Sequence, residues 1–137
     1  IIDVGSGMGV PGVIIAICRP DINVWVIDCN SKKTAFLQQA AIELRLKNLH
    51  VACSKIEEYQ PLVNYDMAIS RAFSDASSFL EKIKHLNVPL SMLMKSSKVY
   101  GELGSIKPQQ WQYDLIELEL PGVLDKRYLL KIYTNPL

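Results

Sequence analysis

Asp3-Val-Gly5-Ser-Gly7-Met-Gly9-Val-Pro11-Gly12 follows the apolar pair Ile1-Ile2. Glycines spaced two apart reach backbone conformations with positive φ and let a bound molecule lie against bare main chain. A buried strand, a glycine turn and a helix is how α/β proteins hold an adenosine-containing cofactor. Gly7-x-Gly9-x-x-Gly12 also satisfies the dinucleotide pattern. Asp28 ends the next predicted strand, at the distance from the glycines where that pattern places its acid. A carboxylate there accepts hydrogen bonds from both ribose hydroxyls of an adenosine. Alternatively it caps the next helix, since Asp28-Cys29-Asn30-Ser31 is rich in capping residues. A tight strand-to-helix turn without a ligand is the other reading of the glycines.

The surrounding elements must place these residues on one rim. Strand-like and helix-like runs alternate, which predicts βαβ units and a mostly parallel sheet. Strand one is Ile1 to Val4. Pro11 suits the first turn of a helix through Val13–Ile17. That helix is apolar nearly all round and is therefore expected to be buried. Strand two runs from Val24 to Ile27. A longer helix is predicted from Ser31 to Leu46, capped by Asn30 or Ser31. Phe36, Leu37, Ala40, Ala41 and Leu44 form its apolar stripe. Strand three is Leu49–Ala52, followed by a short turn or helix over Ser54–Tyr59. Strand four is Tyr65–Ser70. A helix over Ala76–Leu86 packs Phe79, Leu80 and Ile83, and strand five spans Leu90–Met94. After a loop-rich passage, Trp111–Leu120 and Tyr128–Tyr133 each alternate, with Pro121-Gly122 between them. That pattern predicts an antiparallel pair closing the sheet.

Ligands of open α/β sheets sit outside the carboxyl ends of the strands. The glycine turn, Asp28, Ser54–Glu58, Arg71 and Lys95 all fall there. Arg71 and Lys95 follow adjacent strands, so both are expected at one rim, facing a cofactor carboxylate or an RNA phosphate. Lys32-Lys33, Lys82-Ile-Lys84-His85 and Lys126-Arg127 are small basic clusters of the kind that solvated faces carry. Cys29, His50 and Cys53 make no recognised ligand spacing, so no metal is expected. His50 and His85 lack a nucleophile-elbow context.

The chain has 137 residues, a length that predicts one domain over 1–137. It is 49% hydrophobic and 21% charged with a net charge of +1, so composition alone announces no nucleic-acid partner. Cys18, Cys29 and Cys53 are odd in number and form no C-x-x-C, which fits a reducing cytoplasm. No apolar stretch has the length of a membrane span, and no membrane partner is expected. A core strand rarely starts a domain without a lead-in, so further residues are expected upstream.

The glycine run Asp3–Gly12 resembles the first motif of class I S-adenosylmethionine methyltransferases. More narrowly, the chain resembles the RsmG (GidB) family, which methylates N7 of a guanine in bacterial 16S (small-subunit) ribosomal RNA. The resemblance continues through Arg19-Pro20, Asp28–Leu37, Ser54–Glu58, Ser70-Arg71-Ala72-Phe73, Met94-Lys95 and Lys126–Leu129. It implies a Rossmann-like α/β fold, S-adenosyl-L-methionine as cofactor, and ribosomal RNA or an assembling subunit as partner. By the same resemblance Gly5 and Gly7 contact the cofactor, Val10 lines its pocket, and Ile56 and Glu57 flank the adenine, beside the Asp28 expected from spacing to hold the ribose. Arg71 closes the site from strand four, Lys95 faces cofactor or RNA, and Arg71, Lys95 and Arg127 are the expected contacts to RNA. A cytoplasmic monomer is the expected form. Two departures stand out. Ser96 replaces the family's usual glycine after the strand-five lysine, and this sequence lacks the family's N-terminal helical segment.

Guanine N7 carries an in-plane lone pair and no proton, so attack on a sulfonium methyl needs no general base. No catalytic residue is therefore nominated, and alignment is the main requirement. After strand four stands Ser70-Arg71-Ala72-Phe73, not the Asn/Asp-Pro-Pro-aromatic segment of exocyclic-amine methylation, nor a cysteine nucleophile. Phe73 stacks on an extruded base or belongs to the core. Two other readings compete: a nicotinamide-dependent oxidoreductase, and a non-catalytic RNA-binding module with a methyltransferase fold.

Overall fold

The computed structural model describes residues 1–71 and 73–135. Its elements are β1 (Ile2–Val4), α1 (Gly12–Cys18), β2 (Val24–Asp28), α2 (Ser31–Glu43), β3 (Leu49–Cys53), β4 (Met67–Ser70), α3 (Ala76–Ile83), β5 (Leu90–Ser96), β6 (Trp111–Leu118) and β7 (Arg127–Thr134). Single 3-10 turns at Ile56–Glu58, Lys84–Leu86, Ser97–Gly101 and Leu103–Ser105 complete it. The seven strands form one sheet in the order β3-β2-β1-β4-β5-β7-β6. The first five pair in parallel, and β7 runs antiparallel to both β5 and β6. The sheet is thus mostly parallel with a C-terminal antiparallel pair, as the alternation predicted.

Side-chain parity explains the layers. Along a strand, successive residues point to opposite faces. Val24 and Val26 of β2 join Val13 and Ala16 of α1, Leu37 of α2 and Leu49 in one apolar cluster. Ile27, with Ile2 and Val4 of β1, belongs to the opposite cluster, with Phe79, Leu80 and Ile83 of α3 and Tyr128, Leu130 and Ile132 of β7. Two helices therefore cover one face over β2 and β3, and α3 covers the other.

Two expectations about helix burial need correction. α1 is not buried all round: Ile14 and Ile17 are each 50% exposed. Only Gly12, Val13 and Ala16 are buried, because α1 touches the sheet along a single line. The stripe expected on α2 is narrower too. Thr34 and Leu37 are buried and Ala41 packs beside them, whereas Phe36 and Leu44 are more than half exposed. Positions 34, 37 and 41 follow the three-four spacing of one helix line. Asn30 is the cap, its side chain accepting from the N–H groups of Lys32 and Lys33.

The end of α1 is tied to β3 by Asn48. Its buried side-chain amide donates to the carbonyls of Ala16 (3.0 Å), Arg19 (3.1 Å) and Ile22 (2.8 Å). Carbonyls leaving a helix end need such partners. Asn48→Ala should destabilise the protein by about 1–3 kcal/mol, the range for buried polar groups left unpaired. Urea unfolding checks it, and an unchanged midpoint would contradict the latch.

Candidate functional site

β1 ends in the middle of the sheet, and the chain turns sharply over its carboxyl end. Gly5 and Gly7 adopt φ values of +69 and +59, conformations that side chains with a Cβ rarely enter. The N–H groups of Gly5 and Ser6 both donate to the carbonyl of Ile27, at 2.8 and 3.0 Å, which fastens the turn to β2.

Two carboxylates fix the rest of the turn. Asp3, 1% exposed, accepts at Oδ2 from the Ser6 hydroxyl and from the Gly12 N–H, each at 2.9 Å. A Cβ on Gly12 would stand 2.6 Å from that oxygen, so only glycine lets the helix start this close. Asp28 accepts at Oδ2 from the Gly7 N–H and at Oδ1 from the Asn30 N–H, each at 2.9 Å. The two carboxylates thus hold the turn at its start, its middle and its exit into α1.

Burial pushes the Asp3 carboxyl up to about 6, above its ordinary value, against the opposing pull of Ser6, the Gly12 N–H and the Arg71 guanidinium. Asp3 stands in the glycine motif, but its role is not legible in the sequence from spacing alone. One signal points to it: an acid inside an otherwise apolar central strand needs donors, and the turn supplies them.

A cavity of about 300 Å³ opens beside the turn. Val4, Gly5, Ile27 and Asp28 form its floor, Cys29 and Ser54–Glu57 one wall, and Phe73 and Lys82 the other. Of the residues expected in a cofactor pocket, Gly5, Asp28, Ile56 and Glu57 line this cavity. Gly7 contributes through its bond to Asp28. Val10 is half-buried and lies outside the lining. Arg71 is exposed at the end of β4, outside the lining, and close enough to act on the charge of Asp3.

Arg71 and Lys95 do share a small recess beneath Phe73, so the expected common rim exists. The Lys95 ammonium, however, is 2.8 Å from Glu102 Oε2 and donates to the Ser74 carbonyl at 2.7 Å. Glu102 Oε2 also accepts from the Ala76 N–H at 2.9 Å. Lys95 therefore braces the segment between β4 and α3, turned away from the cavity. Arg127 stands at the start of β7 opposite Ser96, distant in the sheet from the glycine turn. Its guanidinium donates to the Lys126 carbonyl and lies 3.9 Å from Asp125. Ala72 of the Ser70–Phe73 segment lies outside the described residues.

The sequence leaves Phe73 between a stacking surface and the core, and gives no sign that it walls the cavity. Its ring packs edge-on against Phe79 at 5.6 Å and covers Gly5, where a Cβ would meet it at 2.7 Å. It belongs to both the core and the cavity wall. Among the described residues, no group of three or more His, Cys, Asp or Glu is placed to hold a metal ion, and no helix is long and apolar enough to cross a membrane.

The family model for GidB, rRNA small subunit methyltransferase G, matches residues 1–128. The chain belongs to this family. The ribosomal RNA small subunit methyltransferase G of Laribacter hongkongensis is 40% identical over 134 residues, 96% of this chain and 65% of that protein. Its counterpart from Methylobacillus flagellatus is 39% identical over 95% of this chain and 63% of its own length. The chain thus spans just under two thirds of these GidB relatives. Among solved structures, Thermus thermophilus TrmN superposes with a TM-score of 0.77 at 15% identity, over 98% of this chain and 43% of that one. TrmK from M. capricolum, in complex with S-adenosyl-homocysteine, gives 0.74 at 13% identity, over 98% of this chain and 61% of that one. At those identities the likeness shows the fold alone: that of the class I methyltransferases.

The raised Asp3 carboxyl sets a pH dependence. The folded state holds this proton more tightly than the unfolded chain, so its contribution is full below about pH 4 and is lost as pH rises through about 6. Relative to Asp3→Asn, the native protein should lose about 2–3 kcal/mol between those limits. Urea unfolding at several pH values measures the gap, and a gap that stays constant would contradict it.

Proposed function

We propose that this chain is the catalytic domain of an enzyme that transfers a methyl group from S-adenosyl-L-methionine to N7 of a guanine in 16S ribosomal RNA. Membership in the GidB family supports the reaction. The observation that carries the cofactor is Asp28. Each of its carboxylate oxygens accepts a single main-chain N–H, and each has a second lone pair. A cavity of about 300 Å³ lies alongside, within the size range of small-molecule sites. Two ribose hydroxyls are the donors that this carboxylate suits, and an apolar wall at Ile56 suits a flat purine. The residues therefore fit the nucleoside part of the cofactor.

The bound cofactor supplies a methyl group on a sulfonium sulfur. The chain's own contribution is alignment. Asp28 fixes the ribose, and the Gly5 turn offers bare backbone where a side chain would obstruct. Phe73 and Ile56 exclude water from the space between them. Because N7 presents its lone pair without a proton, the chain needs no base at the reacting atom, and among the described residues no histidine lines the cavity. Orienting two reactants in this way supplies about 7–11 kcal/mol in favourable cases. Arg71, exposed beside the turn, is a cation available to an RNA phosphate.

This reading treats 1–137 as one methyltransferase domain, since both apolar clusters share a single sheet. The same reading takes the protein to act as a monomer on ribosomal RNA in the cytoplasm. No feature of the cavity favours a nicotinamide-dependent oxidoreductase.

Three measurements test the proposal. Asp28→Ala should weaken S-adenosylhomocysteine binding by about 1.5–3 kcal/mol, the value of a charged hydrogen-bonding partner; calorimetry showing no change would remove Asp28 from the site. Arg71→Ala should lower methyl transfer to 16S ribosomal RNA far more than it lowers thermal stability, and unfolding of the variant at ordinary temperature would contradict this. Mass mapping of RNA treated with the intact protein should find 7-methylguanine. RNA binding without incorporation would leave the non-catalytic RNA-binding module.

A further inference from the structure

Among the described residues, Lys82 is the member of α3 that reaches the cavity wall, and neither the glycine motif nor the segment after β4 accounts for it. Its ammonium lies 3.2 Å from Glu57 Oε1 and 5.0 Å from the centre of the Phe73 ring. These partners stand on different walls. Glu57 belongs to the 3-10 turn after β3, and Phe73 to the segment after β4 that covers Gly5. Lys82 is thus the tie between two loops that are otherwise separate in sequence. A second tie runs parallel to it: His85 Nε2 lies 3.1 Å from the Tyr59 carbonyl, anchoring the same turn to the end of α3.

We propose that Lys82 is a positioning residue for the nucleoside cofactor, clasping Glu57 and Phe73 so that the two walls of the cavity close on the adenosine. The inference rests on the cofactor reading given above. The charge is essential to it. Glu57 attracts the ammonium directly, and a cation within about 6 Å of an aromatic face is drawn to the ring. An uncharged side chain of equal length would keep the packing and lose both attractions. The two side chains are 38% and 48% exposed, so water and salt screen the pair. A nucleoside filling the cavity would displace some of that water and strengthen the clasp. Its effect is therefore expected in ligand affinity more than in the stability of the free protein.

The test is calorimetric binding of S-adenosylhomocysteine to the intact protein and to Lys82→Met, Lys82→Arg and Asp28→Ala. Lys82→Met should bind about threefold to tenfold more weakly at low salt. Lys82→Arg should restore most of the affinity, and high salt should narrow the gap between Lys82→Met and the native protein. A purely structural role would give neither the rescue by arginine nor the salt dependence. If Asp28→Ala binds weakly while Lys82→Met binds like the native protein, the clasp is overturned and the cofactor reading stands. Equal losses in Lys82→Met and Lys82→Arg, insensitive to salt, also overturn it. If neither Asp28→Ala nor Lys82→Met changes binding, the cofactor reading falls and the clasp falls with it.

Discussion

A sharp turn leaves the central strand of the sheet, and two buried carboxylates hold it. Asp3 takes the hydroxyl and the N–H at its two ends, and Asp28 takes the N–H in its middle. A glycine turn on its own has many conformations and loses much entropy on folding. Here the acceptors select one of them. The cavity floor at Gly5, the start of α1 at Gly12 and the orientation of Asp28 all follow from these bonds.

The arrangement carries a cost. Asp3 is almost wholly enclosed, and burial opposes its ionisation. A carboxylate in that place gives up hydration that an apolar residue would not require. What it provides is a short acceptor that reaches both Ser6 and Gly12. Burial thus works against the charged form of Asp3 while its bonds fix the loop. Lys95 and Glu102 serve the neighbouring segment in the same manner, bracing the chain between β4 and α3.

Much of this was legible in the sequence. Strand positions, the mostly parallel pairing and the antiparallel close followed from apolar runs and from alternation in Trp111–Leu120 and Tyr128–Tyr133, within a few residues of the observed strands. The glycine turn and Asp28 followed from residue type and spacing. What spacing does not carry is the direction of long side chains. Lys95 stands at the rim that its strand predicts, yet its ammonium turns to Glu102, a partner placed by the 3-10 turns after β5. Lys82 read as part of a solvated basic cluster, because its tie to Glu57 and Phe73 depends on how α3 lies against a turn far away in sequence. The helix burial was over-read for a related reason. Counting apolar residues on α1 and α2 does not say how wide a stripe the sheet contacts.

The central claim is that the carboxylate-held turn presents Asp28 to a ribose. The most direct measurement is a crystal structure of the protein with S-adenosylhomocysteine bound. Both ribose hydroxyls should lie on Asp28, with the Gly7 N–H bond to its Oδ2 intact and the purine against Ile56. A nucleoside seated elsewhere while the turn keeps its present shape would contradict it.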